Sequence, residues 1–157
     1  MENWHIKYLC DELQKVTERV ADRKPKLYDL IINIPPGTTK STIVTIMLPI
    51  WAWVRDPSLR FITGSHSLDL STEHAVRSRD ILRSEKFRSY FPNIQVKTDT
   101  DNKRNYKITG KGERIVTSVG SKITGNHAHI IIVDDPQDPT IVASEVQRHT
   151  ANRWMSG

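Results

Sequence analysis

Along residues 4–20 apolar side chains recur at helical spacing: Leu9, Leu13, Val16 and Val20 form one stripe, with Asp11, Glu12, Lys15 and Glu18 largely elsewhere. That pattern predicts a helix burying one face, with Cys10 on the stripe as a core residue. The helix is expected to end near Asp22-Arg23-Lys24, because Pro25 disfavours helical geometry in the residue before it. Leu27 to Ile34 is almost continuously apolar, as in a strand buried on both faces, and Pro35-Pro36-Gly37 then forces a turn.

From Lys40 the run Ser41 to Leu48 predicts a second helix, kinked or ended around Pro49. Arg60-Phe61-Ile62-Thr63 reads as a strand after the Asp56-Pro57-Ser58 turn, and residues 68–84 as a helix with Ala75, Val76, Ile81 and Leu82 inward. Short strands and turns are expected over 94–118, and a loop over Gly120–Asn126. His129-Ile130-Ile131-Ile132-Val133 is a strand that stops at Asp134-Asp135-Pro136, and residues 141–155 suit a last helix. Strands alternating with helices define an α/β domain with a mainly parallel central sheet.

The chain has 157 residues, the length of one domain. With 37% hydrophobic and 26% charged residues it is globular rather than disordered. No apolar run approaches the roughly 20 residues that cross a bilayer, and the first residues lack a secretory layout, so a soluble protein is expected. Cys10 is the single cysteine, which excludes an intrachain disulfide framework and a multi-cysteine zinc site. Lys and Arg number 23 against 18 Asp and Glu, a net +5 that suits a polyanionic partner without identifying one.

Two segments carry chemistry. In a phosphate-binding loop, backbone N–H groups and a helix N-terminus cradle phosphate oxygens, a lysine reaches the outer phosphates and a hydroxyl binds magnesium. Pro36-Gly37-Thr38-Thr39-Lys40-Ser41-Thr42, between strand and helix, offers that arrangement, with Lys40 and Ser41 in the two side-chain roles. Aligned on Lys40, however, the usual glycines fall at Ile34 and Thr39, and Gly37 is the only glycine of the loop. A structural turn into a helix would use the same residue types. The second segment is the apolar strand ending in Asp134-Asp135. The carboxyl end of a parallel strand delivers side chains to the rim where ligands bind, so Asp134 is expected to hold Mg²⁺ and Asp135 to orient or deprotonate an attacking water. An Asp-Asp-Pro turn capping the next segment is the plainer alternative.

With both motifs present, the chain resembles the ATPase domain of phage terminase large subunits, in the subgroup with an Asp-Asp-Pro acidic motif. The resemblance rests on Asn3-Trp4-His5, Ile32 to Ser41, Gly64-Ser65-His66-Ser67 before a helix containing Arg79, Thr124-Gly125, and Asp134-Asp135-Pro136. It implies a RecA-like fold, ATP with Mg²⁺, and double-stranded viral DNA driven into a procapsid in the cytoplasm of a bacterial host. It also implies portal protein, small terminase subunit and further copies of the ATPase as partners. Trp4 and His5 fall where similar proteins contact adenine; a helix-anchoring tryptophan is the alternative. Many relatives have an arginine finger where Gly37 stands, so a finger from a neighbouring subunit is expected, with Arg77 and Arg79 as candidates. The nuclease region usual in such proteins has no counterpart before Gly157. The chain is accordingly read as an ATPase piece, residues 1–157, incomplete at its C-terminal end and without nuclease activity. Alternatives are another P-loop ATPase, helicase-like, or an inactive remnant that binds only nucleotide or a partner.

Overall fold

The computed structural model describes residues 3–100, 102–121, 125–137, 149 and 152–154. Helix α1 (Trp4–Ala21) forms on the predicted stripe, burying Leu9, Leu13 and Thr17 with Val16 and Val20 partly covered beside them. Cys10 is exposed, which corrects its expected place in the core. The buried line runs Leu9, Leu13, Thr17, and a residue directly after Leu9 lies about 100° round the axis from it.

The predicted strand at Leu27–Ile34 joins no sheet among the described residues; the segment is extended but unpaired. Alternation survives in its side chains: Leu30, Ile32 and Ile34 pack against the core, while Leu27 is 68% and Ile31 81% exposed. The segment thus packs through one face only. Pro35 and Pro36, which have no N–H to give a ladder, terminate it.

The helix beginning at Lys40 neither ends nor breaks at Pro49. Thr42–Met47 is π-helical, with the Leu48 N–H bonded to the Ile43 carbonyl, and α2 (Leu48–Arg55) continues from it. Proline has no N–H and its ring collides with the carbonyl four residues back. Widening the preceding turn to five-residue spacing relieves that conflict without a break.

Four strands make one sheet in the order β2-β3-β1-β4. They are β1 (Arg60–Ser65), β2 (Asn105–Lys107), β3 (Glu113–Ser118) and β4 (Ile130–Val133). The central strand β1 pairs parallel with β3, from Arg60↔Glu113 to Ser65↔Ser118, and with β4, from Phe61↔Ile130 to Gly64↔Val133; β2 lies antiparallel on the outer edge of β3. The domain is therefore α/β with a mostly parallel sheet, as the alternating pattern predicts. Helix α3 (Leu68–Arg83) starts soon after β1, its cap Ser67 accepting the Leu70 N–H, and a short α4 (Glu85–Tyr90) follows. Ala75 and Leu82 face inward as expected, joined by Ser71, His74 and Ser78.

One sheet face packs on α2 and α3. Fully buried Trp53 meets Phe61 and Tyr106 edge-on, at centroid distances of 5.6 and 6.0 Å, and donates its indole N–H to the Leu59 carbonyl. On the other face Trp154 approaches Gly64, where an added Cβ would stand 3.4 Å from the indole. Beyond residues 149 and 152–154, the expected helix over 141–155 lies outside the described residues, as does Thr124. No helix among the described residues is long and apolar enough to cross a membrane.

Candidate functional site at Lys40 and Asp134

The register of β1 and β4 brings Ser65 and Asp134 to the same carboxyl rim of the sheet. Ladder bonding continues one step past β4, the Asp134 N–H donating to the Gly64 carbonyl over 2.9 Å. The loop before the π-helical stretch arrives at that rim: Lys40 Nζ lies 2.5 Å from Asp135 Oδ1 and 3.3 Å from Asp134 Oδ1. Two segments ninety-five positions apart thus meet through their charged groups.

Asp134 is buried, 6% exposed, and is surrounded by donors. Thr45 gives it a hydroxyl hydrogen bond of 3.0 Å, and the Ser41 hydroxyl bonds it as well. Ser41 and Thr45 are four residues apart, so one helix face offers both hydroxyls. Burial pushes the Asp134 carboxyl up, but the Ser41 bond, the Lys40 charge and the Thr45 bond together hold it below the ordinary carboxylate value. For Lys40, burial pushes the ammonium down and the hydrogen bond to Asp135 with the Asp134 charge outweighs it, leaving the group raised. Both groups therefore stay ionised across the neutral range. Asp135 is more open, its side chain 53% exposed.

The loop itself is held by local bonds. Thr38 Oγ1 donates to the Pro35 carbonyl over 2.6 Å, and Ile43 N–H bonds back to the Thr39 carbonyl at the start of the helix. Gly37 has φ +77° and Thr39 φ +64°. The first is a conformation glycine adopts freely; the second is one that a β-branched residue rarely takes. Among the described residues no atom lies within 4 Å of where a Cβ on Gly37 would stand, so they leave the loop crest open. The first helical N–H groups beyond it have no intrahelical acceptor, and that end of a helix attracts anions.

Of the residues singled out from the sequence, Lys40, Ser41, Asp134 and Asp135 come together; Pro36, Gly37, Thr38 and Thr39 form the adjoining turn, and exposed Thr42 begins the π-helical stretch. Trp4 is 79% exposed and meets His5 edge-on at 6.1 Å, so it does not anchor α1 in the core. On α3, Arg77 is exposed and Arg79 half-buried. Thr45 is a site residue that sequence reasoning misses. The sequence shows only a threonine four residues past Ser41 in an apolar run; its burial, at 2% exposure, comes from the fold.

The donor set around Asp134 is one carboxylate with two hydroxyls, all hard oxygen ligands. It fits Mg²⁺, which takes one or two protein oxygens and completes its shell with water and phosphate. No protein-family profile matches the chain, and no curated protein matches it.

Proposed function

We propose that this chain is a Mg²⁺-dependent ATPase of RecA-like fold, the motor part of a viral DNA-packaging terminase. The observation that carries the reading is the convergence of Lys40, on a turn leading into a helix, with Asp134 and Asp135 at the end of a parallel strand. A lysine and a hydroxyl facing two carboxylates suit a nucleoside triphosphate whose outer phosphates replace the Asp135 contact of Lys40. Ser41 and Asp134 would hold Mg²⁺, which when bound neutralises charge on the phosphate oxygens. Asp135, exposed at the rim, would then be free to orient a water toward the terminal phosphate. Trp4 and His5 remain candidates for the adenine and Arg77 and Arg79 for a finger reaching a neighbouring subunit. Double-stranded DNA, a portal, a small subunit and copies of this chain are the proposed partners, in a bacterial host's cytoplasm.

Titration with ATP, with and without Mg²⁺, tests the site. Lys40→Ala should weaken binding about 10- to 100-fold, the worth of one charged hydrogen bond, and Asp134→Asn should abolish the gain from Mg²⁺. Equal affinity in wild type and both variants would remove the proposal. Hydrolysis stimulated by duplex DNA separates a packaging motor from another P-loop ATPase. A second reading, nucleotide binding without turnover, is favoured by Gly37 being the only loop glycine and by Lys40 being tied to two carboxylates. Tight Mg²⁺-dependent binding with no hydrolysis, DNA present, would decide for it.

A further inference from the structure

β1 ends at Ser65, and the next residue crosses to the acidic end of β4. The backbone N–H of His66 lies 3.0 Å from the Asp135 carbonyl oxygen, and the ring Nδ1 of the same histidine also lies 3.0 Å from it. Asp135 has φ +45°, a left-handed conformation that non-glycine residues adopt only when their surroundings hold them there. A carbonyl oxygen has two lone pairs, and here one residue brings two nitrogens within 3.0 Å of it, the backbone N–H as a donor and Nδ1 as a second donor when the ring carries its proton there.

His66 is itself fixed on both sides. Ser65 Oγ accepts the Ser67 N–H over 3.2 Å, and Ser67 Oγ caps α3 through the Leu70 N–H. The imidazole is thus set between the end of a central strand and the start of a helix, and its reach to Asp135 is built into the sheet. On the other side of Asp135 the carboxylate meets Lys40. We propose that His66 is a positioning residue that clamps the Asp135 backbone in its left-handed turn and so aims the Asp135 carboxylate at the Lys40 side of the site. Donation by Nδ1 requires the proton there, which leaves Nε2 of the neutral ring as an acceptor.

The effect on turnover rests on the ATPase reading; the clamp does not. Three variants test it together with the wild-type tautomer. Asparagine can place its amide N–H where Nδ1 stands, glutamine carries its amide one carbon further, and alanine has no donor. For chains with wild-type melting curves, His66→Ala and His66→Gln should lower kcat for ATP about tenfold with KM within about twofold, and His66→Asn should retain most of the wild-type rate. Equal decreases in all three, an unchanged rate in His66→Ala, or a change confined to KM would each overturn the proposal. Nitrogen-15 NMR of the wild-type imidazole needs no variant: an Nδ1–H tautomer supports the clamp and an Nε2–H tautomer overturns it. If the wild type shows no turnover under any condition, the ATPase reading falls, and the tautomer alone decides for or against His66.

Discussion

Thr45 gives its hydroxyl to a carboxylate that burial alone would drive toward its neutral form. Replacing it by valine keeps the shape and deletes the donor, so Thr45→Val should cost about 1–3 kcal/mol, the penalty for a buried acceptor deprived of a partner. Urea denaturation at neutral pH reads this directly, and a change within error would show that Ser41 and Lys40 suffice. His74 gives a second test at this scale. It is buried on α3, where burial pushes the imidazole down, the Asp134 charge pulls it up and the Arg114 charge pushes it down again, with a net lowering below 6.5. Between the folded value and 6.5 the unfolded chain binds the extra proton, so stability falls as pH drops through that window and the contribution is complete above it. His74→Asn should flatten the pH slope of the urea midpoint below 6.5; an identical slope would assign the effect to other groups. Residue types in the right order make Lys40, Ser41, Asp134 and Asp135 legible from sequence. Thr45 and His66 are not, because each acts through a position that only the folded backbone supplies.

A carbonyl of the π-helical stretch takes a donor from outside its own helix. Ser78 Oγ on α3 donates to the Ile46 carbonyl over 2.5 Å and accepts from Arg114 Nη1 at 2.8 Å. Arg114 is fully buried on β3, and its Nε donates to Thr63 of β1. One serine therefore joins the helix that carries Lys40, the helix that carries His74, and the middle of the sheet. Ser78→Ala strips both partners at once and should destabilise the domain by about 2–4 kcal/mol, with a buried guanidinium left short of acceptors. A thermal or urea midpoint near wild type would mean that water enters and replaces the hydroxyl. Element types are largely readable from sequence here, since α1, α3, β1 and β4 follow simple periodicity. Leu27–Ile34 is not, because an apolar run looks the same whether its backbone pairs or only its alternate side chains pack. At Pro49 only the ended helix fails, for a similar local reason: the rule that proline stops a helix assumes four-residue bonding, and here a π-helical stretch precedes the proline.

Over the whole molecule the charge of +5 is unevenly compensated. Around α1 and the segment after it, cations are matched to carboxylates: Lys7 to Asp11, Lys15 to Glu12, Lys24 to Asp22, Lys26 to Asp29 and Arg23 to Asp56. At the outer edge of β2 the balance differs. Among the described residues, exposed Lys97, Lys103, Arg104 and Lys111 form no ion pair. Lys97 also stands opposite Lys107, its N–H bonded to the Lys107 carbonyl, and like charges across a ladder repel. Glu113, 3.7 Å from Lys107, offsets one of the two. Among the described residues Lys97, Lys103, Arg104, Lys107 and Lys111 outnumber the carboxylates beside them, Asp99 and Glu113, and the proposed duplex DNA should be drawn to this edge. Replacing Lys97, Lys103 and Arg104 together by glutamate should weaken DNA binding and lower the slope of log K against log salt by about 0.9 for each phosphate no longer neutralised. The matched triple of Lys7, Lys15 and Lys26 changes net charge by the same amount while disturbing only paired cations. If both triples reduced affinity and slope equally, total charge rather than this edge would govern attraction; a decrease confined to the first would locate the nucleic-acid surface on the strand farthest from β4.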